Sequence, residues 1–277
     1  MRPPTLVDAL HRAAELERPG AGVRYLDRRE RETFLTWREV RQRALCVAGG
    51  LQAQGVQPGD RVCMVLPTEP IFTDLFFGCL LAGAVPVPLY PPVRLGRLDE
   101  YYARTAAMLQ ASGAVALVAN ARVMRVLGSV LDIERPPLGL LDAELLAQGN
   151  PIEAMPCAPD DLAMVQFSSG TTVAPKPVGL THRQVLANAR AVLDTLMDRF
   201  PEADGWAHCG VSWLPLYHDM GLIGCIFPAL DHPSSITLIP PEAFLARPAI
   251  WLRALSRYGG TISPAPDFAY ALCVERI

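Results

Sequence analysis

Apolar positions along the chain keep two spacings, and the spacing changes where Pro, Gly or a capping residue stands. Leu6, Leu10, Ala13, Ala14 and Leu16 recur at helical intervals behind Thr5, with Asp8 three residues on, so the chain opens with a capped amphipathic helix. Val23 to Leu26 and Thr33 to Leu35 read as short strands around the charged turn 27–32. Thr36-Trp37-Arg38-Glu39 repeats the capping pattern, and Val40, Ala44, Val47, Ala48 and Leu51 carry a second helix towards Gly55.

From Arg61 the pattern becomes an alternation. Short apolar runs at 62–66, 85–89 and 115–118 predict strands, and the periodic stretches 72–82, 98–111 and 123–130 predict helices. That order implies an α/β fold with a parallel sheet flanked by helices, built from βαβ units. Pro136, Pro137, Gly149, Pro151, Pro156 and Pro159 punctuate 134–160, which reads as a boundary between a first subdomain, 1–150, and a second, 160–277. Beyond it come a strand at 161–167, a helix at 181–200 and a strand at 207–213. An apolar helix to Leu230 follows, then a strand at 235–239, a helix at 249–258, a strand at 261–263 and a last helix from Phe268. The uncharged stretch from Leu75 to Val93 is broken by Pro86, Pro88, Pro91 and Pro92, so it reads as a buried helix and strand rather than a membrane span.

Composition narrows the class. Of 277 residues 51% are hydrophobic, which excludes a disordered chain and supplies a sizeable core. A net charge of −3 leaves no footprint for nucleic acid or an anionic membrane. Seven cysteines stand singly, without zinc spacing, and His11, His182, His208 and His232 show no metal pattern, so free thiols in a reducing cytoplasm and no metal centre are expected. The start, Met1-Arg2-Pro3-Pro4, leads into the amphipathic helix and not into a secretion signal.

Two stretches carry candidate chemistry. In Gln166 to Pro177 the hydroxyls of Ser168, Ser169, Thr171 and Thr172 surround Gly170, whose bare backbone lets N–H groups approach an anion. Lys176, the sole lysine in the chain, adds an ammonium suited to phosphate oxygens. The strand before and the helix after suggest a phosphate cradle of the strand–loop–helix kind. The Walker pattern is not met, since Lys176 stands between Pro175 and Pro177, and an ordinary Ser/Thr/Gly turn explains the same composition. The second stretch, Trp213 to Gly221, lies where a strand ends, the edge at which open α/β sheets bind ligands. There His218 can orient or neutralise a carboxylate or phosphate, Tyr217 can wall an acyl site, and Asp219 can fix the His ring or cap the next helix. The alternative is that Asp219 is only a cap and His218 a satisfied, half-buried histidine. Ser168 and Ser169 lack a nucleophile-elbow pattern.

Taken together these stretches resemble the AMP-forming acyl ligase superfamily, and within it the fatty acyl-AMP ligases. The resemblance rests on Val85 to Pro92 with Arg97-Leu98-Asp99-Glu100-Tyr101-Tyr102, on Phe167 to Lys176, on Trp213 to Gly224 and on Ser263 to Tyr270. Asp267 stands where the family usually has Asn. The resemblance implies the fold of the N-terminal domain of adenylate-forming enzymes, cut short. It further implies that a fatty carboxylate is activated by ATP to acyl-AMP with release of pyrophosphate, with an acyl carrier protein or polyketide synthase as acceptor. By position, Ser168, Ser169, Gly170, Thr171, Thr172 and Lys176 would hold the ATP phosphates. Trp213, Tyr217, His218, Asp219 and Gly221 would form the acyl and adenylate site, with His218 and Lys176 as the catalytic pair. Mg²⁺ would accompany ATP, its main ligand lying outside this chain. Val173-Ala174 and Pro177 depart from the glycine-containing family pattern, and the family's adenine, ribose and magnesium segments and mobile C-terminal domain would come after Ile277. The resemblance therefore implies a partial enzyme, and leaves open a non-catalytic nucleotide- or acyl-binding remnant, a protein-interaction remnant, or a fragment of an acyl-CoA ligase.

Overall fold

Thr5 caps the first helix as its sequence requires: its hydroxyl accepts from the Asp8 N–H, while Leu6, Val7, Leu10, Ala13 and Ala14 are buried on one face. The computed structural model describes residues 2–92, 98–167, 176–202 and 207–277. In chain order the first elements are α1 (Leu6–Leu16), β1 (Gly22–Leu26), β2 (Glu32–Thr36), α2 (Trp37–Ala53), β3 (Arg61–Val65), α3 (Pro70–Leu81) and β4 (Val85–Pro88). Next come α4 (Leu98–Ser112), β5 (Ala116–Ala119), α5 (Ala121–Leu131), β6 (Leu140–Asp142), α6 (Ala143–Leu146), β7 (Leu162–Phe167) and β8 (Pro177–Thr181). Then follow α7 (His182–Arg199), β9 (Cys209–Ser212), the single turn α8 (Asp219–Gly221), a π-helical turn (Leu222–Ile226) and α9 (Phe227–Asp231). The last are β10 (Ser235–Leu238), α10 (Pro241–Ala246), α11 (Ala249–Tyr258) and α12 (Asp267–Arg276).

Contacts gather the chain into two compact units that interleave in sequence. One is Met1–Val40, Thr68–Pro70 and Gln184–Ile277; the other is Arg41–Pro67 and Ile71–Arg183. The sequence-based pair 1–150 and 160–277 crosses both. In the first unit the sheet runs β2-β1-β10-β9, with β1, β10 and β9 parallel and β2 closing a hairpin on β1. The expected strand at 261–263 contributes only a bridge from Ile262 to Gly210. A buried ion pair ties this unit together: Arg190 donates to both oxygens of Asp231, at 2.8 and 3.1 Å, and also to the carbonyl of Pro3.

The second unit holds the parallel sheet β4-β3-β5-β6, the α/β architecture expected from the alternation. Val65, Val87, Leu117, Ala119, Leu127 and Val130 form its core, which Val165 of β7 joins. The Pro-rich segment 134–160 is not a loose boundary. It supplies β6 and α6, and it is clasped by glycines: a Cβ on Gly49 would lie 1.8 Å from the Asn150 carbonyl oxygen, and one on Gly50 would lie 2.2 Å from that of Leu146. Two facing backbones therefore touch where a sequence reading sees only breakers.

The strand–loop–helix expectation at the serine-rich loop needs correction. Between loop and helix runs β8, antiparallel to β7 with Phe167 opposite Pro177 and Leu162 opposite Thr181. Pro177 is tolerated because it is the first residue of a two-stranded edge. The α7 N-terminus thus sits at the far end of the hairpin, roughly 17 Å from Pro177 at about 3.4 Å per residue, whereas a helix dipole acts within its first turn. Because the glycine clasp leaves no room for a side chain, Gly49→Ala is expected to cost about 3 kcal/mol or more in denaturant unfolding; an unchanged midpoint would contradict the clasp.

Candidate functional site

β9 ends at the carboxyl edge of the first sheet, and the chain then folds back over that edge. Trp213 follows directly, 4% exposed, its ring stacked on Phe244 with centroids 4.0 Å apart and edge-on to Phe268 at 5.7 Å. Its indole N–H is buried without an acceptor among the described residues. From Leu214 the chain turns so tightly that a Cβ on Gly221 would meet the Pro215 carbonyl oxygen at 2.2 Å. Only glycine fits at 221.

That turn fixes His218. Its backbone carbonyl accepts from the N–H groups of Gly221 and Leu222, and its ring caps α8, with Nδ1 3.4 Å from the Met220 N–H. Asp219 Oδ1 lies 2.5 Å from the same Nδ1 and accepts from the Met220 N–H at 2.7 Å. With Nδ1 engaged by these two neighbours, Nε2 is the ring nitrogen not held within the turn. Both roles considered for Asp219, fixing the ring and capping the helix, are present. Tyr217 stands beside them half-buried, its phenol held above the usual range by burial and then by Glu242.

The π-helical turn prolongs α8, and the Cys225 thiol in it donates to the Met220 carbonyl at 3.2 Å. Beyond it opens an apolar cavity of about 250 Å³, whose lining includes Leu193 and Leu196 of α7, Gly224, Cys225 and Ala229, Ile236 of β10 and Ile262. In the sequence Val192, Leu193 and Leu196 fall on one side of the helix predicted at 181–200. Val192 in fact stays 44% exposed and Phe200 60% exposed while lining this cavity, and such exposed apolar side chains are the signal that a packing argument passes over.

Of the other predicted residues, Ser168, Ser169, Gly170, Thr171 and Thr172 lie outside the described residues. Lys176 is described and exposed, immediately before β8 in the second unit. Trp213, Tyr217, His218, Asp219 and Gly221 form one continuous turn in the first. Among the described residues no three His, Cys, Asp or Glu side chains gather to hold a metal ion. All seven cysteines are free.

Residues 13–275 match the family model described as AMP-binding enzyme. The chain belongs to that family. It is 36% identical over 249 residues to a long-chain-fatty-acid–AMP ligase of Mycobacterium marinum, covering 87% of this chain and 41% of that protein. A solved structure from work on fatty acyl-adenylate ligases of E. coli and L. pneumophila superposes with a TM-score of 0.89 at 33% identity, covering 99% of this chain and 48% of the other. The L. pneumophila fatty acyl-adenylate ligase solved with acyl adenylate and pyrophosphate gives 0.82 at 30% identity, over 99% and 46%. The chain spans about half the length of the relatives it matches.

Beside the cavity, Glu202 receives hydrogen bonds from Arg18 at 2.7 Å and from the His208 N–H at 2.9 Å, and lies 3.2 Å from His232 Nε2. Burial alone would raise its carboxyl, but these bonds outweigh it and bring the pKa from 4.5 down to about 2. A carboxyl lowered by folding contributes stability above its unfolded pKa and loses it as the pH falls towards the folded one. Thermal melting is therefore expected to drop between about pH 4.5 and 2, and Glu202→Gln to flatten that drop; an identical slope in the variant would contradict the assignment.

Proposed function

We propose that this chain takes part in ATP-dependent activation of a fatty acid, giving acyl-AMP and pyrophosphate. One observation carries the reading: in a chain whose relatives are fatty acyl-AMP ligases, an apolar cavity opens within a few residues of an immobilised histidine. The carboxylate lies at the His218 turn and the alkyl chain runs along the π-helical turn into the cavity. A carboxylate oxygen attacks the α-phosphorus of ATP, and the bond to the pyrophosphate oxygen breaks.

Attack of one anion on another is slow because the two repel, so positioning and neutralisation are what the residues supply. His218 Nε2 faces the carboxylate, with the ring held by Asp219. Ser168, Ser169, Gly170, Thr171, Thr172 and Lys176 hold the pyrophosphoryl oxygens. Trp213 and Gly221 set the floor of the turn, and Tyr217 walls the acyl site. Mg²⁺ would accompany ATP, with phosphate oxygens and water supplying most of its ligands. The acyl group is then passed to a carrier protein.

The test is ATP–pyrophosphate exchange driven by laurate, with the 277-residue chain alone and in its full-length context. Exchange is expected in the full-length protein, and Lys176→Ala is expected to lower it by about tenfold or more, the usual worth of a charge-assisted contact. Unchanged exchange after that substitution removes Lys176 from the phosphate site. Calorimetry with ATP and an acyl-adenylate analogue decides the second reading, a non-catalytic remnant, since a chain that binds neither acts through protein contacts alone.

A further inference from the structure

Two glycines lie three residues apart in the site, and the fold needs only one of them. Gly221 is required because its Cβ would strike a carbonyl oxygen, whereas a Cβ on Gly224 meets no atom within 4 Å. Glycine in a helical stretch costs roughly 1 kcal/mol relative to alanine, so Gly224 is unfavourable locally and no close contact demands it. What it preserves is empty space, and that space is the cavity it lines.

The cavity offers a ligand almost nothing polar. His208 Nδ1 faces the Thr261 hydroxyl at 3.1 Å and its Nε2 the Phe200 carbonyl at 2.8 Å. His232 Nε2 lies 2.9 Å from an Arg18 nitrogen and 3.2 Å from Glu202. Both histidine rings are thus engaged within the protein, and most of the remaining lining is apolar.

We infer that Gly224 sets the length of alkyl chain the cavity accepts. The inference rests on the alkyl-chain reading of this cavity. Gly224 stands six residues after His218, roughly 8 Å along a helical path at about 1.5 Å per residue, so short acids end before it and long ones pass it. A side chain at 224 blocks only the long ones.

Equilibrium binding of octanoate, laurate and palmitate to the 277-residue chain tests this without requiring turnover. Gly224→Leu is expected to weaken palmitate by about tenfold or more and octanoate by less than about threefold, because leaving two or more methylenes in water gives up that factor. Gly128→Leu, at another open glycine outside the cavity, is expected to change none of the three. Should Gly224→Leu fail to fold, Gly224→Ala is expected to show a smaller loss confined to palmitate. A palmitate affinity that survives Gly224→Leu, or equal losses for all three acids, overturns the length role while leaving the cavity reading intact. Absence of binding of any acid to the unsubstituted chain overturns both, and leaves the phosphate-site test with Lys176→Ala standing by itself.

Discussion

The turn from Trp213 to Gly221 closes because position 221 carries no side chain, and the geometry of the site follows from that closure. With the Gly221 Cα against the Pro215 carbonyl, His218 is forced into the capping position, where its carbonyl and ring both bond the turn that follows. Its Nδ1 faces both the Met220 N–H and the Asp219 carboxylate. A histidine free to rotate on the sheet edge would spend entropy on meeting a ligand; this one has met that cost in folding. The helical direction set at Asp219 continues into the π-helical turn, whose Gly224 and Cys225 line the cavity.

Much of this architecture was legible in the sequence. Short apolar runs and period-3.6 patterns located the parallel sheet and its helices, since both faces of that sheet are buried and the apolar runs are nearly continuous. What escaped shares a physical cause, which is that backbone relations across distant segments leave no periodic trace. Strand β8 has Pro177 and Gly179 within five residues and is exposed from Pro177 to Gly179, so it reads as loop; it is a strand because β7 lends it hydrogen-bond partners. The 134–160 segment reads as a boundary because of its prolines, yet glycines more than ninety residues earlier make it a packed layer. The π-helical turn has the composition of any apolar helix.

At the site, the signal was strongest where residue type and position coincide. His-Asp beside an obligatory glycine marks a turn that holds a ring, and the sole lysine marks the entry to β8. The cavity was only half legible: the apolar helix expected up to Leu230 supplies one wall, but another comes from α7, whose apolar residues serve core and cavity with the same pattern. Periodicity reports which face of a helix is apolar and cannot report what lies against it.

Apolar side chains dominate the cavity lining, and that has a consequence for selectivity. Every histidine that lines the cavity is already bonded, and the Arg18–Glu202–His232 cluster turns its polarity on itself. Binding there draws on transfer of methylenes from water, a term that grows evenly with length and discriminates weakly between neighbouring homologues. A sharp limit on length cannot come from that gradual term; it has to come from a wall. In a cavity with soft apolar lining, the wall is whatever side chain, or missing side chain, stands in the path, and the contrast between an obligatory Gly221 and a dispensable Gly224 locates it.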